Sequence, residues 1–175
     1  MTLKKTYLFG MLAGFLWAGL ISKPMAQHAA EMTLNQADQA AVFKAAGATQ
    51  RKGKWIVCDP PADSGAPESA GASIEMVQDL NGDGRPEAVV MDGGVYCYGG
   101  NEMGFQLLSK QSSGRWRVMT RNSGIPEFLK SKGVDGWPDV SIGGPGFCFP
   151  VQRWNGKAYV LNRFEYQGKR CKPQR

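Results

Sequence analysis

The feature that most constrains this chain is a pattern that occurs twice. Asp83-Gly84-Arg85-Pro86-Glu87-Ala88-Val89-Val90 returns 52 residues later as Asp135-Gly136-Trp137-Pro138-Asp139-Val140-Ser141-Ile142. Each copy is followed by a glycine pair, Gly93-Gly94 or Gly143-Gly144. A cysteine between aromatics comes next, in Tyr96-Cys97-Tyr98 and Phe147-Cys148-Phe149. Each then reaches a strand preceded by a glycine turn, SSGRWRV in the first copy and WNGKAYV in the second. Elements kept in this order describe two blade-like units of about 50 residues, each a small antiparallel sheet. Pairing like with like across the repeat suggests Cys97 with Cys148, which leaves Cys58 for Cys171.

Glycine supports the same architecture. The 175-residue chain has 23 glycines and 10 prolines, which favour many tight turns over long helices. Strand-like runs fall at Trp55–Cys58, Ile74–Gln78, Ala88–Met91, Val95–Tyr98, Phe105–Ser109, Trp116–Thr120, Phe147–Arg153 and Ala158–Leu161. One short N-terminal helix is signalled over Leu34–Ala46. Thr33 and Gln36 fit a capping box there, and Gly47 supplies the left-handed stop. A further helical turn is expected over Ile125–Lys130. The fold class is therefore mainly β, with antiparallel sheets from two repeat units. Residues 27–58 carry the helix and first strand, 59–72 an exposed Pro/Ser/Gly-rich loop, and 73–175 the repeat region of the same single domain.

The first 26 residues read as an export signal. Lys4 and Lys5 precede an uncharged, mostly apolar run from Tyr7 to Ile21, and Pro24-Met25-Ala26 offers a small residue for cleavage. The run is short for a membrane span, so no span is expected after cleavage. The whole chain has a formal charge of +6 and a pI near 9.2. The leader takes three lysines and no acid, leaving eighteen basic against fifteen acidic residues, or +3. The basic runs at Arg51–Lys54 and Lys169–Arg175 read as solvated segments, and nucleic acid is not an expected partner of an exported chain. The four cysteines, Cys58, Cys97, Cys148 and Cys171, lack the close spacing of a zinc ribbon. An even count in a periplasmic or secreted protein reads as two disulfides.

The segment that carries chemistry is Asp79-Leu80-Asn81-Gly82-Asp83-Gly84-Arg85-Pro86-Glu87. Oxygen side chains at 79, 81 and 83 can curl round one hard cation. Gly84 allows the sharp bend, Arg85 offers its carbonyl, and Glu87 closes the set. Ca²⁺ takes six to eight oxygens of this kind. An EF-hand would place Glu at the twelfth loop position, but that position is Val90, and the following residues favour a strand. DLNGDGRPEAVV resembles the calcium loop of FG-GAP and VCBS-type repeats, the blades of integrin-like β-propellers. The resemblance implies Ca²⁺ held between two strands by Asp79, Asn81, Asp83, Arg85 through its carbonyl, and Glu87. It is close over about a dozen residues and looser over 70–165, and two units cannot close a propeller, which needs at least four blades. The chain also resembles small exported bacterial proteins of unknown function. In the second copy Ser131 and Gly133 stand where Asp79 and Asn81 do, so one ion site is expected, with a structural ion.

Other residues are weaker candidates. Trp55, Trp116, Trp137, Trp154, Tyr96, Tyr98, Tyr159 and Tyr166 could line a sugar- or protein-binding face, but in a small β domain they more often fill the core. Asp135, Asp139, Glu127 and Glu165 could supply a glycosidase-like carboxylate pair. The only histidine, His28, lies beside the cleavage point, no Gly-x-Ser-x-Gly elbow occurs, and the cysteines are expected to be oxidised. The expected role is a non-catalytic, calcium-stabilised module that binds a protein or glycan of the cell envelope. The alternatives are a small envelope hydrolase working through carboxylates and an inhibitor of host lysozyme. The second fits poorly with a charge of +3, since a basic target attracts an acidic inhibitor.

Overall fold

The computed structural model describes residues 32–173; the expected leader and His28 lie outside them. Helix α1 spans Gln36–Ala45. Its N-cap is Asn35, not Thr33: the Asn35 side chain accepts the Asp38 amide at 2.8 Å. The expected stop at Gly47 holds, with φ of 82°. A hairpin of β1 (Thr49–Arg51) and β2 (Lys54–Ile56) follows. Next come β3 (Ser73–Gln78), β4 (Glu87–Gly93), a helical turn α2 (Val95–Tyr98), β5 (Met103–Lys110) and β6 (Trp116–Ser123). The second half contains β7 (Ile125–Lys132), β8 (Pro138–Gly143), β9 (Phe149–Trp154), β10 (Tyr159–Tyr166) and β11 (Lys169–Arg170). Strands β3 to β6 form one antiparallel meander, and β7 to β11 form another. The fold is mainly β, as expected, and each copy of the repeat is its own sheet.

Three further expectations fail locally. Val95–Tyr98 is a helical turn and not a strand. Gly94 and Gly99 bracket it at φ of 143° and 55°, and the Tyr98 ring lies against β5 at Gly104. A Cβ at Gly104 would stand 2.0 Å from that ring. Ile125–Lys130, expected to turn helically, belongs to β7 and pairs with β8 from Ile125↔Gly143 onward. Pro126 is tolerated because β7 is an edge strand and its outer side needs no donor. The disulfides are Cys58–Cys97 and Cys148–Cys171, not Cys97–Cys148 and Cys58–Cys171. Each repeat cysteine sits in the connector after the second strand of its sheet. There it is closer to a segment flanking its own unit than to its counterpart.

The layers stack in one direction. Strand β4 is buried on both faces. Ala88 and Val90 pack with Val42, Phe43 and Ala46 of the α1 segment, and with Leu108 and Trp116. Val89 and Met91 face the other way, into a cluster with Phe105, Leu107, Met119, Trp137, Val140, Ile142, Trp154 and Tyr159. In the second copy, Val140 and Ile142 correspond to Ala88 and Val90. The same face of each sheet therefore packs on the layer before it, as blades do: α1 on the first sheet, the first sheet on the second. Thr120 and Gln152 stitch the sheets with a 2.9 Å hydrogen bond, and Asn122 joins the same network. On the far face of the second sheet the positions of Val89 and Met91 fall to Ser141 and Gly143, polar or small residues suited to a terminal layer. Of the candidate aromatics, Trp116, Trp137, Trp154 and Tyr159 are buried, and Trp55 stacks on Phe43 at 5.2 Å. Tyr96 and Tyr166 are exposed.

Candidate metal centre and its counterpart in the second unit

The loop from Asp79 to Glu87 joins β3 to β4 at one end of the stack. Gly82 and Gly84 take φ of 82° and 80°, which side chains with a Cβ resist. The five expected ligands are brought together unequally. Asp79 turns inward and accepts three backbone amides, from Gly82 at 2.8 Å, Asp83 at 3.1 Å and Gly84 at 2.8 Å. Asn81 also accepts the Asp83 amide, at 3.1 Å. Asp83 accepts the Arg85 amide at 2.9 Å and is paired with the Arg85 guanidinium. Three side chains thus wrap the loop's own backbone. Each carboxylate oxygen has more than one acceptor site, so these bonds leave lone pairs free. The wrap consists of bonds within the loop itself, and among the described residues no group of three or more His, Cys, Asp or Glu converges as a metal cluster.

Glu87 differs from the others. It is fully buried, at 0% exposure, on the face of β4 that looks toward the second sheet. One oxygen accepts the Leu80 amide at 2.8 Å and the other the Ser109 hydroxyl at 2.9 Å. Burial pushes its carboxyl up to about 7; those two bonds oppose the rise, while Asp83 and Asp79 add to it. Among the described residues it forms no ion pair. A buried carboxylate with two acidic neighbours and no cationic partner has a chemistry that suits a hard cation. All the donors are oxygens, so the set fits Ca²⁺ in type.

The second unit meets the same difficulty with its own side chains. Asp139 occupies the Glu87 position and is also at 0% exposure, but on the opposite, outer face. Burial would raise its pKa, but Arg153, Ser131 and Arg163 outweigh burial and hold it down to about 2. Arg153 bonds both carboxylate oxygens at 2.8 Å, Arg163 donates at 2.6 Å, and the Ser131 hydroxyl at 2.6 Å. Arg163 also pairs with Glu165. Two arginines therefore take the place that a cation would fill in the first unit. Of the expected carboxylate pair, Asp139 and Glu165 are committed to arginines, while Asp135 and Glu127 are exposed. The two Asp-Gly bends lie side by side: a Cβ at Gly136 would stand 2.6 Å from the Asn81 carbonyl oxygen.

The cysteine connectors lie at the opposite end, where the sequence signalled disulfides and no other chemistry. There the buried Asp92 accepts the Cys58 amide at 3.0 Å and the Tyr98 hydroxyl at 3.1 Å. Burial and the Asp92 charge push the Tyr98 phenol up to about 12. Asp92 thus ties Cys58 to Tyr98, the residue next to its disulfide partner Cys97; only its place just before Gly93-Gly94 could have marked it. Between the free edges of β3 and β7 lies an apolar cleft of about 480 Å³ lined by Met76, Met91, Met103, Ile125 and Phe128. Among the described residues no helix is long and apolar enough to cross a membrane. Comparison with known proteins returns no matching family model, no matching curated protein and no matching solved structure.

Proposed function

We propose that this chain is an exported, disulfide-stapled β module of the cell envelope, in the periplasm or secreted, that binds Ca²⁺ in the Asp79–Glu87 loop and works by binding a protein or glycan without catalysis. The observation that carries the calcium reading is the contrast between Glu87 and Asp139. Both are fully buried acids at the same repeat position, yet only Asp139 has arginines beside it. In this reading Asp79, Asn81, Asp83, the Arg85 carbonyl and Glu87 hold the ion, which neutralises three nearby carboxylates and fixes the loop. The ion is structural. The FG-GAP/VCBS resemblance of DLNGDGRPEAVV supports the same assignment. The two disulfides support an oxidising compartment, where such bonds persist.

The test is a melting curve with Ca²⁺ and with chelator, on the native chain and on Asp83→Ala. Ca²⁺ should raise the native melting temperature, and Asp83→Ala should remove most of that rise while changing little in chelator. An equal loss in both conditions would make the loop a turn and nothing more.

A further inference from the structure

We infer that the tip formed by the β10–β11 hairpin and the Phe147 connector is a peripheral docking surface for anionic lipid headgroups. Phe147 is 62% and Tyr166 43% exposed, and their rings meet edge to face at 6.2 Å, with Phe149 also 6.1 Å from Tyr166. The sequence placed these aromatics nineteen residues apart; the pairing of β9 with β10, which sets Phe149 opposite Glu165, brings them together, and the Cys148–Cys171 bridge closes the same tip. The same bridge fixes the basic segment beside them. Tyr166 pairs directly with Lys169 across the turn, Arg170 follows, and Lys172 comes just after Cys171; all three cations are exposed. Glu165, opposite Arg170 in the hairpin, is already paired with Arg163.

Charge complementarity selects the occupant. From Gly124 to Pro173 eight basic residues face four acidic ones, whereas from Ser73 to Ser123 five face six. Positive charge is therefore concentrated in the unit that carries this tip. Protruding aromatics with lysines around them match a membrane–water interface, where rings enter at headgroup depth and cations meet lipid phosphates. The surface stands independently of the calcium loop, which lies at the other end of the stack.

The experiment is cosedimentation of the purified protein with vesicles, in chelator so that Ca²⁺ bridges nothing. Vesicles of phosphatidylcholine containing one-third phosphatidylglycerol should retain the protein at least about tenfold better than phosphatidylcholine alone. At an ionic strength of about 1 M, where screening acts over roughly 3 Å, that preference should vanish. Phe147→Ser, and separately Lys169→Glu with Lys172→Glu, should each weaken retention about tenfold without moving the melting temperature. Equal binding to both vesicle types, or binding indifferent to these variants, overturns the proposal. So does failure to bind anionic vesicles, including the case where the protein binds a soluble sulfated polysaccharide instead.

Discussion

The first sheet leaves Glu87 buried among other acids, whereas the second surrounds Asp139 with Arg153 and Arg163. The difference follows from position in the stack. Glu87 faces inward and is roofed by the second sheet, so no long cationic side chain reaches it. Asp139 faces outward, where among the described residues its bonded partners are Arg153, Arg163 and Ser131 of its own sheet. A repeated position thus keeps its buried acid in two settings: beside an acidic loop, where we propose a cation from outside, or against guanidinium groups built into neighbouring strands. The second solution is complete within the chain. In the first, Glu87 has, among the described residues, only an amide and a hydroxyl as partners.

The strongest way to break the comparison is to remove an arginine. Arg163→Met should cost about 3 kcal/mol or more in urea unfolding, because Asp139 is left buried with less compensation. Asp139→Asn in that background should recover part of the loss; no recovery would mean that Arg163 acts by packing. Close behind come the bridges. Replacing either cysteine pair by alanine should cost about 3–4 kcal/mol, the 39-residue closure exceeding the 23-residue one by only about 0.5 kcal/mol.

Proton linkage separates the two acids by sign. Asp139 has a folded pKa near 2, below its ordinary 3.8, so its stabilisation is full above about pH 4 and is lost as pH falls toward 2. The loss amounts to about 2 kcal/mol and should disappear in Asp139→Asn. Glu87 has a folded pKa near 7, above its ordinary 4.5. In chelator its contribution is full below about pH 4.5 and erodes as pH rises toward 7, and Glu87→Gln should flatten that slope. The smallest effects concern the hydroxyls. Ser109→Ala and Ser131→Ala should each cost about 1 kcal/mol by chemical denaturation, and only the second should make unfolding begin at higher pH on the acid side.

Much of this fold could be read from residue order. Short apolar, β-branched and aromatic runs at Ala88–Met91 and Phe105–Ser109, with glycine turns between runs, mark real strands, and the repeat marks real sheets. The Val95–Tyr98 turn was hidden because aromatic and β-branched residues have strand character wherever they occur; Gly104, across the sheet, is what accommodates Tyr98. Ile125–Lys130, expected as a helical turn, carries no alternation that marks it as a strand, and only the pairing with β8 makes it an edge. At the loop, residue type and spacing reveal the oxygens but not that Asp79 is already bonded to three amides. The arginine cage was out of reach, since Arg153 and Arg163 lie 14 and 24 residues from Asp139 and meet it only through strand register.

The bridges join each cysteine to the next one along the chain, the first to the second and the third to the fourth. For a polypeptide threaded N-terminus first through a translocation pore, as export would require, that connectivity has a kinetic consequence. The earliest two thiols to emerge are already native partners, and so are the last two. An oxidase that simply joins thiols in order of arrival yields the correct product, and maturation needs no isomerase to reshuffle it.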